Sequence, residues 1–561
     1  MKKSDSLAMD LDRLGGDVFQ HRVRRPRPRC RQTQKRMIRW RWTWIALAWT
    51  CASTASVVHV LGADERPNIL LLLTDDQDLI LGGTDQMPNL QKYLADEGTF
   101  FSNAFVHTPI CCPSRASILT GKYIHNIPVV NNSLSGNCYG DEWIGAAEHQ
   151  TFATVAAQSG YLTSYAGKYL NRYGKGIHKG GAAQIPPGWG RWFGLVGNSR
   201  YYNYTIVRSD HGAPPTTIRH GDDPTADYLP DLLINRTMEV LRSHHSSTAG
   251  HPHTRRPFLH VLAWPTPHGP FTPAPQYADV FAGQTAHRTP NFNAPWTANQ
   301  QKHWLVRQMA EIDGATEELI DGCYRSRLEA LLSVDDHVQT IVEYLASVGT
   351  LENTVIVYTS DNGFQLGQHR IKGDKRQPYE HDIRVPFIVR GPGFAKGVTT
   401  DEIVLNVDLA PSIVELVTKG YQGEIQDIAA DGASFVSPTA KQRKEFLVSY
   451  HGEGISPCGW GKGCPRQPGP VHGADAWNNT YHCLRTLSRS ENSMYCEFDD
   501  DEDFVEYYDL MTDPWQLRNA HRQLGPCRKD HYARRLAGLR TCKGASCHRE
   551  VTLDDPVVLC Q

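Results

Sequence analysis

The chain has 561 residues, of which 40% are hydrophobic and 21% are charged, so it is long enough for one large globular domain and a smaller second one. These proportions exclude a wholly disordered chain, a collagen and a polytopic membrane protein. Residues 64–561 carry 45 basic and 56 acidic side chains, a net charge of −11, which argues against a protein that tracks nucleic-acid phosphates.

The first 63 residues are a basic leader followed by an apolar stretch. Residues 1–43 hold 13 Lys and Arg against four Asp, and Trp44–Ala63 contains no charged side chain. This layout is typical of a signal peptide, although about 20 apolar residues also suit an uncleaved signal-anchor. Both interpretations place the rest of the chain in the secretory pathway. N-x-S/T sequons then predict glycosylation at Asn131, Asn203, Asn235 and Asn478.

Hydrophobic patterning predicts strands that alternate with helices. The continuous apolar run Asn68–Thr74 predicts a strand buried on both faces, as in a parallel sheet. Helices are predicted at Leu90–Glu97 and, from its amphipathic pattern, at Cys323–Val348. Further strands are predicted at Leu162–Tyr165, Phe258–Ala263, Thr354–Thr359 and Val385–Val389. The fold class that follows is α/β, with a large, mostly parallel central sheet sandwiched by helices.

Cysteines concentrate near the C-terminus of the chain. Eight of the 14 lie between Cys458 and Cys560, which predicts a smaller, disulfide-rich α+β subdomain in a secreted protein. We expect the leader to end at residue 63, a main domain over 64–435 and this subdomain over 436–561. Spacing alone does not fix the connectivity, and Cys483–Cys496 and Cys542–Cys547 are guesses.

Two polar clusters follow two of the predicted strands. Asp75 and Asp76 come directly after the first strand, and Asp361 and Asn362 follow the strand Thr354–Thr359. Because ligands bind outside the carboxyl ends of strands in open α/β sheets, we expect these side chains to meet. Their oxygen atoms suit Ca²⁺, or Mg²⁺ with more water ligands.

A third candidate element begins at a pair of cysteines, in the segment CCPSRASILTGKY over residues 111–123. Pro113 suits the first turn of a helix and Gly121 its C-terminal end, which would place Cys112 at the N-cap. The backbone N–H groups and positive dipole end there favour an anion. Arg115 and Lys122 add positive charge.

The pattern C-x-P-S-R-x-x-x-x-T-G-[RK] in this segment resembles the signature of the sulfatase family. The resemblance extends over roughly Pro67 to Cys547 and is closest to glucosamine-6-sulfatases and the related extracellular heparan endosulfatases. It implies an alkaline-phosphatase-like sulfatase fold. The supporting strings are LTDDQD from Leu73, GKYLNRYG from Gly167, NSRYYNYT from Asn198, DKRQPYEHDIRVPFIVRGPG from Asp374, LNVDLAPS from Leu405 and NNTYHCLRT from Asn478.

The resemblance also implies a role for each residue of the site. A formylglycine-generating enzyme would convert Cys112 to formylglycine, whose hydrate attacks the sulfur. One Ca²⁺ would be held by Asp75, Asp76, Asp361, Asn362 and the modified Cys112. Arg115 and Lys122 would orient the formylglycine, and His125 would help to collapse the hemiacetal sulfate. Lys168, His268 and Lys375 would bind the sulfate or protonate the leaving alcohol.

The expected function is removal of 6-O-sulfate from N-acetylglucosamine 6-sulfate units of glycosaminoglycans such as heparan or keratan sulfate, in the lysosome or after secretion. Alternatives are an extracellular heparan endosulfatase, an arylsulfatase of other specificity and an inactive glycan-binding relative. The heparan endosulfatases carry a long basic region, and no such block follows residue 64. Related phosphatases use Ser or Thr where Cys112 stands.

Overall fold

The computed structural model describes residues 66–176, 184–247, 256–436, 443–453, 475–476 and 479–548. The predicted leader over residues 1–63 and the sequon at Asn478 lie outside these ranges. Within them, no helix has both the length and the apolar character needed to cross a bilayer. The described residues belong to one compact unit, Leu61–Gln561.

A ten-stranded sheet forms the centre of this unit. Its strand order is β10-β2-β9-β8-β1-β7-β3-β4-β5-β6. The five central neighbours β8, β1, β7, β3 and β4 run parallel to one another. Antiparallel pairs occur only towards the two sides of the sheet. The strands are β1 (Asn68–Thr74), β2 (Thr99–Phe105), β3 (Leu162–Lys168), β4 (Arg191–Leu195), β5 (Thr205–Asp210), β6 (Thr216–Arg219), β7 (Phe258–Ala263), β8 (Thr354–Ser360), β9 (Phe387–Arg390) and β10 (Val398–Leu405).

Helices cover both faces of this sheet. Alternate residues of β1 face opposite sides, so Leu71 belongs to one hydrophobic cluster and Leu72 to another. The first cluster includes α2, α4 and α10, and the second includes α5 and α8. The helices are α1 (Pro88–Leu90), α2 (Cys111–Thr120), α3 (Asp141–Gly145), α4 (Phe152–Gln158), α5 (Leu229–Ser247), α6 (Trp296–Asn299), α7 (Trp304–Arg307), α8 (Gly314–Ser347), α9 (Glu380–Ile383) and α10 (Leu409–Thr418). The predicted α/β sandwich is therefore confirmed.

A second, antiparallel sheet follows, in the order β11-β12-β13-β14. Its strands are β11 (Glu445–Tyr450), β12 (Tyr481–Leu487), β13 (Asn492–Phe498) and β14 (Val505–Asp509), and α11 (Pro526–Arg540) shares its hydrophobic cluster. The guessed disulfides Cys483–Cys496 and Cys542–Cys547 are both present. The boundary at residue 435/436 stays a prediction, because residues 437–442 lie outside the described ranges.

Two predicted helices differ in extent from the observed ones. The predicted helix Leu90–Glu97 is the short α1 followed by a single π-helical turn, Gln91–Ala95. The long helix α8 begins at Gly314, well before Cys323, and the side chain of Asp313 caps it by accepting from the Thr316 N–H. Its first turns are largely polar, so the apolar periodicity that predicted the helix starts later than the helix itself.

Candidate active site

The carboxyl ends of the parallel strands meet at one edge of the sheet. Thr74 of β1 pairs with Ser360 of β8, so Asp75 and Asp361 leave adjacent strands at the same level. On the other side, β7 lies between β1 and β3, and Lys168 is the last residue of β3. The acidic pairs predicted to meet are therefore brought together, at the usual ligand-binding edge of such a sheet.

The N-terminus of α2 points at this edge. The helix begins at Cys111, after the extended N-cap residue Ile110, and ends at Gly121, whose φ of 72° is left-handed. The Cys111 thiol lies 3.8 Å from Asp76 Oδ1. The positive dipole end of the helix thus faces the site. The N-cap is Ile110 and not the predicted Cys112, whose N–H donates to Asn132 Oδ1.

Cys112, the cysteine predicted to be modified, is not the one of the pair that faces the site. Cys112 forms a disulfide with Cys138, whereas the neighbouring Cys111 is a free, buried thiol beside the acidic cluster. A disulfide sulfur is already oxidised and is unavailable for conversion or for holding a metal. The pattern C-x-P itself requires one residue between cysteine and Pro113, so Cys112 occupies the x position and Cys111 begins the signature.

Three buried cations pair with the three carboxylates of the site. Lys168 Nζ lies 2.7 Å from Asp75 Oδ2, Arg115 Nε lies 2.7 Å from Asp361 Oδ2, and Lys375 Nζ lies 2.6 Å from Asp76 Oδ2. All six side chains are buried. The opposite charges balance, and this permits so many ionised groups to be buried together.

The cations act unequally on the three carboxylates. Burial raises the pKa of Asp75, but Lys168, His268 and Arg115 outweigh it and hold that pKa well below its usual range. The pKa of Asp76 is also lowered, because Lys375 and His268 outweigh the effect of burial. For Asp361, burial dominates over the attraction of Arg115 and raises the pKa to about 7.

His268 faces the same cluster from the loop after β7. Its Nδ1 lies 2.8 Å from the Gly269 carbonyl oxygen, which can only accept, so Nδ1 carries the hydrogen. In the neutral ring Nε2 then presents a lone pair, and it lies 3.9 Å from Asp76 Oδ2. Burial lowers the pKa of His268 to about 4. The structure therefore places Lys168, His268 and Lys375 together, as the resemblance implied.

The oxygen donors of the site fit a hard divalent cation. Asp75, Asp76, Cys111 and His268 each offer a ligand atom, and these atoms lie within 4.8 Å of one another. Two buried oxygens, Asp75 Oδ1 and Asn362 Oδ1, have no hydrogen-bond partner among the described residues. Asn362 approaches through its Nδ2, which donates to Asp76 Oδ1 at 2.8 Å. Carboxylate and amide oxygens of this kind are the ligands that Ca²⁺ prefers.

Two predicted catalytic residues, Lys122 and His125, contact other parts of the protein. Lys122 Nζ donates to Gln150 Oε1 at 2.9 Å, and His125 Nε2 donates to the Cys542 carbonyl at 2.8 Å. Both follow the C-terminal end of α2, and at 1.5 Å per residue the helix separates them from Cys111 by roughly 15 Å. The structure therefore does not bring Lys122 and His125 to the carboxylate cluster, as their predicted catalytic roles would require.

The described sequons differ in accessibility. Asn203 and Asn235 are exposed, whereas Asn131 is 8% exposed and its amide nitrogen points towards the Gly452 carbonyl at 3.4 Å. A glycan needs a solvent-facing amide, so burial argues against Asn131. Glycosylation at Asn203 and Asn235 stays a prediction.

Several supporting residues carry no signal of their own in the sequence. Ser199 Oγ donates to Asp75 Oδ2, and Ser114 Oγ donates to the Asp361 carbonyl at 2.5 Å. Ser114 lies inside the signature, and Ser199 lies inside the string from Asn198 that carries the resemblance. The family resemblance of those strings could have drawn attention to both serines. A single serine, however, has no sequence pattern that assigns it to a site.

Comparison with known proteins places these features in a family. The sequence matches the family described as Sulfatase over residues 67–419, more than half of the chain. It is 40% identical over 512 residues to the N-acetylglucosamine-6-sulfatase of Homo sapiens, covering 89% of each chain. It is 41% identical over 354 residues to an extracellular sulfatase homologue of Drosophila melanogaster, covering 63% of this chain and 30% of that protein.

A solved structure shows the same fold. It is described as a complex with its substrate D-glucosamine-2-N,6-O-disulfate, and it superposes with a TM-score of 0.62 at 23% sequence identity. The match covers 84% of this chain and 97% of that one.

Proposed function

The chain belongs to the sulfatase family, and we propose that it removes 6-O-sulfate from N-acetylglucosamine 6-sulfate at the ends of glycosaminoglycan chains. The observation that carries this proposal is the position of Cys111. It stands at the N-terminus of α2, against paired carboxylates and three buried cations, where an anionic ester would be attracted.

The thiol of Cys111 is a poor nucleophile in this setting. Burial raises its pKa to about 12, so the reactive thiolate would be scarce at any physiological pH. Conversion of Cys111 to formylglycine in the secretory pathway, as in the family, replaces the thiol by an aldehyde whose hydrate supplies an oxygen nucleophile. Cys111, and not Cys112, is the residue we propose for the formylglycine-generating enzyme.

A calcium ion would be held by Asp75, Asp76, Asp361 and Asn362, next to the modified Cys111. A divalent cation there lowers the pKa of a bound hydroxyl and offsets charge on the sulfate. Asp75 Oδ1 and Asn362 Oδ1 support this assignment, because both are buried acceptors of the proposed ligands that have no hydrogen-bond partner among the described residues. Because the protein's own charges balance, the ion would give the site a net positive charge.

The remaining side chains have separable tasks. Arg115 donates to Asp361 through Nε and to the Lys168 carbonyl through Nη1, both at 2.7 Å. It therefore holds the loop after β8 and the end of β3 in place relative to each other. The ammonium groups of Lys168 and Lys375 are positioned to bind sulfate oxygens. His268 is 17% exposed, more than Arg115, Lys168 or Lys375, and we assign to it the exchange of a proton with the leaving alcohol.

The choice of sugar rests on the relatives. The human protein is named for N-acetylglucosamine 6-sulfate and resembles this chain over 89% of its length, whereas this chain spans less than a third of the Drosophila extracellular sulfatase. The net charge of −11 over residues 64–561 also favours attraction confined to a pocket over an extended basic track.

We place the enzyme in the lysosome or outside the cell.

The test is an assay of purified protein from a secretory host. Sulfate release is compared between N-acetylglucosamine 6-sulfate, oligosaccharides that carry this sugar at the non-reducing end, and intact heparin. We expect release from the first two. Rapid desulfation of internal residues in long heparin would instead assign the chain to the endosulfatases, and release from aryl sulfates alone would indicate another specificity.

A further inference from the structure

Arg327 of α8 is buried between the loop that follows β1 and the loop that follows β8, which we call the two acidic loops of the site. Its side chain is about 4% exposed, and Nη2 donates to the carbonyl oxygen of Asp76 at 2.7 Å. The same nitrogen lies 3.3 Å from Asp78 Oδ1. Arg327 therefore contacts the loop after β1 in two ways, by a hydrogen bond to the backbone carbonyl of Asp76 and by an ion pair with Asp78.

That loop has an unusual backbone at Asp76. Its φ of 67° is left-handed, a region that residues other than glycine rarely adopt. Successive side chains of a strand point to opposite faces, so a turn is needed if both Asp75 and Asp76 are to face the site. The hydrogen bond from Arg327 holds the peptide that follows this turn.

Arg327 also rests on the second acidic loop. Its guanidinium carbon lies 4.3 Å from the ring centre of Phe364, which comes two residues after Asn362. The backbone of this second loop is packed tightly, since a Cβ on Gly363 would lie 2.0 Å from the His381 carbonyl oxygen. The Arg327 side chain thus connects the tightly packed loop at Gly363 with the loop at Asp76, whose backbone has the left-handed φ.

We propose that Arg327 is a positioning residue, which sets the orientation of Asp76 relative to Asp361 and Asn362 without touching the substrate. The guanidinium donates at its edge to a carbonyl and a carboxylate while its flat face lies on the ring, and the compact ammonium of lysine has no such planar face. The inference rests on the proposed metal-dependent sulfatase activity and adds to it a determinant on α8, outside the loops that carry the reacting groups.

The test compares Arg327→Lys with wild type in two measurements. The first is steady-state sulfate release, and the second is the Ca²⁺ concentration that gives half of the calcium-induced rise in Tm. We expect kcat to fall roughly 10- to 100-fold with KM within about twofold, because the ligands and nucleophile are misplaced by a fraction of an ångström. The half-saturating Ca²⁺ concentration should rise by about 10-fold.

Arg325→Lys is the matched control on the same helix. Arg325 contacts the Gln284 carbonyl and Glu318 at the surface, and its replacement should leave both measurements unchanged. If Arg327→Lys does not fold, Phe364→Leu removes the stacking partner while keeping an apolar side chain. It should change kcat and Ca²⁺ dependence in the same direction.

The outcomes separate the two proposals. A wild-type protein that neither releases sulfate nor gains stability from Ca²⁺ would refute the proposed function. A wild type that does both, with an Arg327→Lys variant that matches it in kcat and Ca²⁺ dependence, would refute only the positioning role. A lower Tm with unchanged kcat and Ca²⁺ response would also refute it, since Arg327 would then be structural.

Discussion

Neighbouring cysteines at positions 111 and 112 have different environments because successive residues on a helix point about 100° apart. Cys111 points to the carboxylates at the sheet edge, and Cys112 points to Cys138. The Cys112 N–H donates to Asn132 Oδ1 at 2.9 Å, so the disulfide and this bond together tie the helix N-terminus to the following loop. One cysteine thus supports the position of the other.

Cys111→Ser should abolish sulfatase turnover and leave the fold intact, because the residue is the proposed source of the nucleophile. In wild-type protein from a secretory host, peptide mass spectrometry should find the aldehyde at position 111 and a disulfide at Cys112. The matched variant Cys112→Ser should keep the aldehyde and lose about 2–4 kcal/mol of unfolding free energy, the usual contribution of a disulfide. An active preparation with an unmodified Cys111 would contradict this assignment.

Asp361→Ala should lose metal binding and activity together. Removal of this carboxylate deletes a ligand and leaves Arg115 buried with only its more distant ion-pair partner, Asp75, so we expect Ca²⁺ affinity to fall by at least about 100-fold. Calcium should then no longer raise Tm. Asp141→Ala, which removes an exposed carboxylate, is the control. Full activity of the wild type after complete removal of metal would argue against the calcium site.

Among the elements, those with a local signal were predictable from the sequence. Strands β1 and β7 have the predicted bounds because fully buried parallel strands are continuous apolar runs. Asp75 and Asp361 follow from these strands, since parallel pairing brings their carboxyl ends to one edge. The positions of the acidic residues of the site could therefore be predicted from the pairing of the strands that precede them.

Residues that depend on three-dimensional distance were less predictable. Lys122 lies close to Cys111 in the signature but at the far end of α2, and the sequence pattern does not contain that separation. Arg327 has the opposite property, since it is about 250 residues from Asp76 in the chain but in contact with it. Its helix was predicted, but nothing local distinguishes it from a surface arginine.

The end of α2 provides a prediction at this scale. Gly121 has a φ of 72°, and a Cβ there would lie 2.9 Å from Ala430 Cβ and 3.0 Å from Pro411 Cδ. Gly121→Ala should lower the unfolding free energy by about 1–3 kcal/mol, from left-handed strain and crowding. Gly145→Ala is the control, because a Cβ there meets no atom within 4 Å. Chemical denaturation measures both, and equal effects of the two substitutions would contradict the argument.

For the whole molecule, stability should depend on pH through Glu148. This buried carboxyl accepts hydrogen bonds from Trp143 and Tyr169, yet burial dominates and raises its pKa to about 7. Between about pH 4.5 and 7 the folded state binds more protons than the unfolded state, so stability falls as pH rises, by on the order of 3 kcal/mol. Glu148 by itself therefore favours the folded state at acidic pH.

Glu148→Gln tests this dependence, because the amide keeps an acceptor oxygen but carries no charge. The unfolding free energy of the variant should decline less than that of wild type between pH 4.5 and 8, and the two curves should diverge towards neutral pH. Glu142→Gln changes an exposed glutamate in the same segment and should follow wild type. Parallel curves for wild type and Glu148→Gln would contradict the assignment.

The charge of the whole molecule leads to a prediction about salt. With a net charge of −11 over residues 64–561, the surface as a whole repels a polyanionic glycan, and attraction must come from the buried cations and the proposed Ca²⁺. Surface attraction along a chain is screened strongly by salt, since the Debye length shortens from about 10 Å at 0.1 M to about 3 Å at 1 M. Interactions inside a buried site are screened much less. We therefore expect kcat/KM for an oligosaccharide with a terminal sulfated sugar to change by less than about threefold between 0.05 and 0.3 M NaCl. A loss of ten-fold or more over this range would show that the enzyme grips the glycan over an extended surface, which is the behaviour expected of an endosulfatase.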